Sequence, residues 1–222
     1  MARVITIDGP SGSGKGTIAE MVAERLGWHC LDSGALYRLV GLAVDRADIG
    51  FEDAAKISEI ARNLDVEFQG RKIIMDGEDV SLAIRTETAG NNASKVAAIP
   101  EVRAALLAWQ QDYAREPGLV ADGRDMGSVV FPGAEVKIFL DASAEERAER
   151  RYKQLKEKGL DANLADLVAE IRERDDRDRN RSVAPLMAPE GSLEVDSTAL
   201  SIDEVLETVL EKVRGTFPDL VV

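Results

Sequence analysis

A glycine-rich segment near the start of the chain constrains the fold more than any other feature. It follows a short apolar run, residues 4–7, and precedes a stretch in which Ile18, Val22 and Leu26 recur at helical spacing. Glycines let backbone N–H groups approach phosphate oxygens without Cβ clashes, and the first turn of a helix favours negative charge. The order strand, loop, helix therefore predicts a phosphate-binding loop. Its residues are Gly9, Pro10, Ser11, Gly12, Ser13, Gly14, Lys15, Gly16 and Thr17.

Two side chains of this loop have predicted roles in binding ATP. Lys15 is expected to reach the β and γ phosphates, and the Thr17 hydroxyl is expected to contact Mg²⁺. The general motif has Ser or Thr directly after the lysine, whereas Gly16 intervenes here. This Gly-Lys-Gly-Thr variant resembles that of nucleoside monophosphate kinases. The sequence also lacks the Asn-Lys-x-Asp string with which GTP-binding switches read guanine, so we do not expect a switch GTPase.

Strand and helix patterns alternate along most of the chain. Capping boxes mark two helix starts, Ser143 with Glu146 and Ser201 with Glu204. The alternation predicts an α/β fold with a parallel sheet and helices on both faces, in which ligands bind at the carboxyl ends of the strands. Further strands are predicted at residues 29–31, 119–121, 136–140 and 193–195, each running into an aspartate.

Residues 65–80 break this rhythm. Two turn signals, at 69–71 and 76–77, separate three short segments with the composition of an antiparallel meander. We interpret about residues 63–100 as an insert within a single domain that spans residues 1–222.

Charge and composition exclude several classes of partner. The formal charge of −13 repels polyanions, so we expect no nucleic-acid partner. No uncharged run approaches the roughly 18 residues of a membrane helix, so we expect no membrane partner. Cys30 is the only cysteine and cannot form an internal disulfide, which favours a cytoplasmic location.

Three further strings of residues, with the phosphate loop, resemble the bacterial cytidylate kinase family over nearly the whole chain. They are residues 31–38 (LDSGALYR), 121–127 (ADGRDMG) and 173–181 (ERDDRDRNR). The resemblance implies a phosphate-loop nucleoside monophosphate kinase fold, with a parallel central sheet, flanking helices, a small antiparallel insert and a helical lid at about residues 147–181. It implies transfer of the γ-phosphoryl group of ATP, with Mg²⁺, to CMP or dCMP, by a monomer.

The resemblance also assigns roles to individual side chains. Arginine offers forked donors suited to phosphate oxygens, and we expect Arg38 and Arg124 to project from the ends of the strands that precede them. The catalytic residues that it implies are Lys15, Arg38, Arg124 and Arg174. The CMP-binding residues that it implies are Ser33, Arg38, Ser94, Arg103, Arg124, Asp125, Arg174, Asp178 and Arg181.

Within this set the resemblance distinguishes parts of the acceptor. Asp178, with Arg174, is assigned to the ribose hydroxyl region, and Arg181 to the phosphates or the base edge. Asp125 is assigned to the cytosine amino group, with Ser94 and Arg103 completing the base pocket. Arg174, Asp178 and Arg181 have the spacing of one helix face.

Other charges in the last motif and in the lid receive weaker assignments. Glu173, Asp175 and Arg179 fit a solvated helix surface. The helix predicted at about residues 144–158 carries Arg147, Arg150 and Arg151, and either Arg150 or Arg151 could touch the transferring phosphate. Asp122, at the end of a predicted strand, could orient Mg²⁺ through water.

Two other functions stay open at this point. One is a kinase for UMP, AMP or another small phosphate or alcohol acceptor. The other is a nucleotide-binding regulatory module that hydrolyses ATP slowly or not at all.

Overall fold

A computed structural model describes residues 2–69, 72–157 and 159–220. These residues divide into two compact units, one formed by Met1–Asp32 with Gln111–Val222 and the other by Ser33–Gln110. The insert proposed at about residues 63–100 lies within the second unit, and the proposed lid at about 147–181 lies within the first. Residues 70 and 71 of the predicted turn, and residue 158 of the predicted lid helix, fall outside the described residues.

The strands and helices follow the predicted order closely. The strands are β1 (Arg3–Asp8), β2 (His29–Asp32), β3 (Val66–Gln69), β4 (Lys72–Met75), β5 (Glu78–Asp79), β6 (Gly118–Gly123), β7 (Val136–Asp141) and β8 (Leu193–Asp196). The helices are α1 (Lys15–Leu26), α2 (Ser33–Arg46), α3 (Ala54–Arg62), α4 (Glu87–Val96), α5 (Pro100–Gln111), α6 (Ala144–Glu157), α7 (Leu164–Asn180) and α8 (Ile202–Thr216). Residues Ala83–Arg85 form a short 3₁₀ turn and Met126–Val130 a π-helical turn.

Among the described residues of the first unit, five strands form a parallel sheet in the order β2-β6-β1-β7-β8. Its core joins strand residues such as Ile5 and Ile138 to Ile18 and Val22 of α1 and Val209 of α8, all of them buried. The predicted parallel sheet with flanking helices is therefore confirmed. The register places Asp32 opposite Asp122, and Asp8 opposite Gly123, at the carboxyl ends of three neighbouring strands.

The predicted meander is also confirmed, as an antiparallel sheet in which β4 pairs with β3 and β5. It belongs to the second unit, whose buried apolar clusters combine Leu36 and Val40 of α2, Val102 and Leu106 of α5, and Met75 of β4. None of the helices in the described part of the chain has the length and apolar character needed to cross a bilayer.

The two predicted capping boxes have different outcomes. At α8, Ser201 and Glu204 bond to each other's backbone N–H in the full reciprocal box. At α6, Ser143 Oγ accepts from the Glu146 N–H at 3.2 Å, but the Ser143 N–H donates to Thr198 Oγ1 at 3.0 Å. The Ser143 N–H therefore bonds to Thr198, which is distant in the sequence and which the local pattern does not encode. Its bond to Thr198 replaces one of the two hydrogen bonds of the predicted box.

Candidate active site

The phosphate loop lies between β1 and α1, as predicted, and at Gly9 the neighbouring backbone leaves room only for glycine. A Cβ at Gly9 would lie 2.0 Å from the carbonyl oxygen of Leu140 on β7. Gly14 caps α1 with φ 93°, in the left-handed region. The Ser13 hydroxyl in the same loop is buried and has no hydrogen-bond partner among the described residues. The loop thus approaches β7 closely at Gly9, and the positive φ of Gly9, Gly12 and Gly14 favours glycine at those three positions.

Lys15 at the start of α1 lies among opposing charges. Burial lowers its pKa, and the positive charge of Arg124 acts in the same direction. The carboxylates of Asp122 and Asp32 oppose this shift, while Arg174 adds to it. The positive charges of Arg124 and Arg174 thus both act on Lys15 in the first unit, and grouped cations favour binding of a polyanion such as a phosphate chain.

Asp122 is the last residue but one of β6 and faces α1. Burial, followed by the charge of Asp32, raises the pKa of Asp122 above its ordinary value. A Cβ at Gly16 would lie 3.3 Å from Asp122 Oδ2, and Asp122 Oδ1 is buried without a hydrogen-bond partner among the described residues. Thr17, one residue further, is exposed. Because Gly16 has no side chain, no Cβ atom covers Asp122 Oδ2 on the side of α1.

Arg124 and Asp178, both assigned to the acceptor, are bound to each other. Arg124 follows β6, and its Nε donates to Asp178 Oδ2 on α7. Asp178 is 2% exposed and the Arg124 side chain 13%. Burial acts to lower the pKa of Arg124, but the carboxylates of Asp178, Asp122 and Asp175 together raise the pKa above its ordinary value. Arg124 of the string at 121–127 thus pairs with Asp178 of the string at 173–181, 54 positions later in the sequence.

Arg181 departs from the predicted helix face. It is the C-cap of α7, with φ −65° and ψ 143°, so it lies just outside the helix that carries Arg174 and Asp178. The prediction that all three share one helix face is therefore wrong for Arg181, because the backbone turns to an extended conformation there. Its Nη2 nevertheless lies 3.8 Å from Asp125 Oδ1, and both side chains are 4% exposed.

Asp8 is a site residue that sequence analysis missed. Its two carboxylate oxygens accept from the backbone N–H groups of Met126 and Gly127, each at 2.8 Å. Burial raises its pKa to about 7, although the two N–H groups oppose the shift. A Cβ at Gly127 would lie 2.8 Å from Thr6 Oγ1, so this turn approaches β1 closely. Asp8 thereby fixes the backbone that follows Arg124 and Asp125.

Arg147 and Asp175 form a second buried pair. Arg147 of α6 donates through Nη1 to Asp175 Oδ1 at 3.0 Å and through Nη2 to Asp175 Oδ2. The same Nη1 donates to the Ser11 carbonyl at 3.0 Å, and Nε donates to the Ala142 carbonyl at 2.9 Å. The side chains of Arg147 and Asp175 are only 3% and 14% exposed. The assignment of Asp175 to a solvated surface is therefore wrong, because its partner lies on another helix.

Sequence analysis does not decide whether Arg150 or Arg151 contacts the transferring phosphate. Arg150 donates through Nε to Glu146 at 3.0 Å and through Nη2 to the Ser197 carbonyl at 2.7 Å. Its Nη1 donates to Ser197 Oγ at 3.5 Å, so both terminal nitrogens fix α6 to the segment after β8. Arg151 is half-buried on the same helix.

The second unit carries Ser33, Arg38, Ser94 and Arg103. Arg38 lies within α2 and does not project from a strand end as expected, since α2 begins directly after β2. Its Nη1 donates to the carbonyls of Ile84 at 2.8 Å and Thr86 at 3.2 Å. Ser94 is buried on α4.

Arg103 and Ser33 are held by α5 and α2 of that unit. Arg103 of α5 donates to the Ala97 carbonyl at 3.2 Å and lies 5.5 Å from the centre of the Tyr37 ring on α2. The Ser33 hydroxyl donates to Gln110 Oε1 at 2.7 Å. Sequence analysis missed Gln110, because a glutamine near a helix end gives no signal of its own.

The chain was compared with protein families, curated proteins and solved structures. A family model described as cytidylate kinase matches residues 5–215. A cytidylate kinase of Aeromonas salmonicida (strain A449) is 62% identical over 95% of this chain and 93% of its own. A cytidylate kinase of Shewanella loihica (strain ATCC BAA-1088 / PV-4) is 52% identical over 99% and 98%.

The solved structures show likeness of fold alone. A gluconokinase from Sinorhizobium meliloti 1021 superposes with a TM-score of 0.50 at 17% identity, covering 98% of this chain and 94% of its own. An uncharacterised protein from Eubacterium ventriosum ATCC 27560 has a TM-score of 0.54 at 10% identity, covering 97% and 99%.

Proposed function

The chain belongs to the cytidylate kinase family, and on that premise we propose that it transfers the γ-phosphoryl group of ATP to CMP or dCMP. The observation that carries the proposal is the electrostatic grouping in the first unit, where Arg124 and Arg174 of the acceptor motifs both act on Lys15 of the phosphate loop. A donor lysine and acceptor arginines that repel one another are stabilised together when negative phosphates lie among them.

On the donor side, backbone N–H groups of residues 9–17 are proposed to hold the ATP phosphates, with Lys15 at the β and γ positions. The dipole of α1 adds to the binding of the phosphates. Arg147 ties the Ser11 carbonyl to α6 and α7 and so keeps that loop in place. Either Arg150 or Arg151 of α6 is proposed to contact the transferring phosphate.

Mg²⁺ is proposed to accompany ATP, and the residues present fit it. Hydroxyl and carboxylate oxygens are ligands that Mg²⁺ prefers, and Mg²⁺ usually keeps several waters. Thr17 would supply a hydroxyl, and the open Asp122 carboxylate would orient a bound water. When bound, the metal neutralises charge on the β and γ phosphates. No cluster of three or more His, Cys, Asp or Glu side chains suited to a metal occurs in residues 2–69, 72–157 and 159–220.

Transfer itself needs positioning and charge stabilisation more than covalent chemistry from the protein. We propose that Arg124, Arg174 and Arg38 hold the acceptor phosphate, and that Asp178 and Arg174 hold the ribose. Asp178 fixes Arg124 through its buried ion pair. Removal of either partner would leave a buried charge without compensation.

For the base, we propose that Asp125 of the first unit accepts from the 4-amino group of cytosine. For the second unit, we propose that Ser33, Ser94 and Arg103 contact the base. Uracil has an oxygen in place of that amino group, and a carboxylate repels it. Arg181 is proposed to orient Asp125, from which it lies 3.8 Å away. A monomeric state and a cytoplasmic location remain predictions.

The experiment is an acceptor screen in which ADP release is followed with ATP, Mg²⁺ and one of CMP, dCMP, UMP or AMP. We expect high kcat/KM for CMP or dCMP and much lower values for UMP and AMP. Preference for UMP or AMP would assign a different acceptor. ADP release that is negligible with all four acceptors would instead support a regulatory nucleotide-binding module.

A further inference from the structure

A buried hydrogen bond in the second unit determines whether the Ser33 hydroxyl can donate to a ligand or accept from it. Ser33 is the first residue of α2 and is 2% exposed, while Gln110 lies near the end of α5 and is 1% exposed. Ser33 Oγ lies 2.7 Å from Gln110 Oε1. Ser33 and Gln110 are 77 positions apart, so the contact joins two helices that are distant in the sequence.

The orientation of the Gln110 amide follows from its other end. Gln110 Nε2 lies 3.2 Å from the Leu106 carbonyl, one helical turn earlier. A carbonyl can only accept, so the amide nitrogen must face Leu106 and the amide oxygen must face Ser33. With the amide reversed, two oxygens would face each other at Leu106.

A serine hydroxyl has one hydrogen and two lone pairs. Because Gln110 Oε1 is an acceptor, the Ser33 hydrogen is used in the bond to Gln110. What Ser33 Oγ can offer a ligand is therefore a lone pair. The same oxygen accepts a hydrogen bond from an amino group and repels a carbonyl oxygen, which is the difference between cytosine and uracil at C4.

We propose that Gln110 is a positioning residue for base specificity, which sets Ser33 as a hydrogen-bond acceptor and so selects cytosine over uracil. This inference rests on the proposed function and on Ser33 as a base-contacting residue. Arg103 lies about two helical turns before Gln110 on α5 and contacts the Tyr37 ring of α2. The α2 and α5 contact thus holds two of the proposed base-pocket residues of this unit.

The test replaces Gln110 with methionine, which keeps much of the volume but has no oxygen to accept from Ser33. The freed hydroxyl can rotate and donate to uracil O4. We expect the ratio of kcat/KM for CMP to that for UMP to fall about tenfold, the scale of one mismatched buried polar contact. Gln111→Met is the control, because Gln111 is the exposed neighbour on α5 and donates to the Val130 carbonyl and not to Ser33. Its ratio should equal that of the native chain.

A second variant keeps the inference testable if Gln110→Met does not fold. Ser33→Ala removes the oxygen that repels uracil, so it should also lower the CMP to UMP ratio. Adding Gln110→Met to Ser33→Ala should then lower the ratio no further, because the two residues act as one unit. If Gln110→Met or Ser33→Ala still phosphorylates CMP and its CMP to UMP ratio is unchanged, the inference about Gln110 is overturned. The proposed function would then still stand. A native chain that shows no preference for CMP would overturn both this inference and the proposed function.

Discussion

Breaking the Arg147–Asp175 pair should destabilise the first unit strongly and weaken ATP binding. Both side chains are largely buried, and Arg147 makes hydrogen bonds to Asp175, to the Ser11 carbonyl and to the Ala142 carbonyl. In Arg147→Met the Asp175 carboxylate is left without its partner, and two carbonyls lose a donor. Because the variant keeps much of the aliphatic volume, the effect isolates charge and hydrogen bonding from packing.

The magnitude follows from distance and burial. Two unit charges about 3 Å apart attract by about 5 kcal/mol at an effective dielectric constant of about 20. Removing one member of a buried pair typically costs about 3–5 kcal/mol, because the other charge stays buried. For a chain of this size, that loss corresponds to a fall in the thermal midpoint of roughly 10 °C. We expect the same order of loss for Asp175→Asn.

Urea unfolding followed by circular dichroism measures the loss, and Arg172→Met provides the control. Arg172 pairs with Glu145 between the same two helices, but both side chains are more than half exposed. Its loss should be much smaller, since exposed pairs contribute little. The double variant Arg147→Met with Asp175→Leu should recover part of the stability, which the double-mutant cycle reports as coupling.

The same variants test whether the pair acts on the phosphate loop. Arg147 contacts the loop through the Ser11 carbonyl, whereas Arg172 bonds to Glu145 on α6. We therefore expect Arg147→Met to raise KM for ATP more than KM for CMP, with little change in either for Arg172→Met. If Arg147→Met lost no more stability than Arg172→Met and kept its KM for ATP, the anchoring role of Arg147 would be refuted.

Three other predictions concern single side chains. Lys15→Met should lower turnover about 10³-fold or more in the ADP-release assay, because it removes a charge that stabilises the transferring phosphoryl group. Its thermal midpoint should change little. Near-native turnover would contradict the phosphate-loop assignment. Asp125→Asn should lower kcat/KM for CMP more than for UMP, and an unchanged ratio would remove Asp125 from base recognition. Burial raises the pKa of Asp8 to about 7 from 3.8, so its contribution to stability is present at low pH and is lost as pH rises from about 4 to 7. The difference in unfolding free energy between the native chain and Asp8→Asn should therefore fall over that range, by up to about 4 kcal/mol, and a difference that does not vary with pH would disprove the raised pKa.

Local signals in the sequence were sufficient for the fold class and for the phosphate loop. The spacing of glycines around Lys15, and the apolar periodicity of the segments on either side, act within a few residues along the chain. The same holds for the alternating strands and helices and for the capping box at Ser201. These features depend on backbone conformation and local hydrogen bonding, which a short stretch of sequence determines by itself.

Tertiary structure decided which charged groups meet. Asp8 binds backbone more than 100 residues away, Arg124 pairs with Asp178 and not with solvent, and Asp175 pairs with Arg147 although its own helix pattern is that of a solvated surface. The family resemblance named Arg124 and Asp178 but not their partnership, and it gave no sign of Gln110. Such pairings depend on strand order and helix packing, because a buried charge or amide is stabilised only by whichever group the completed fold brings within hydrogen-bond distance.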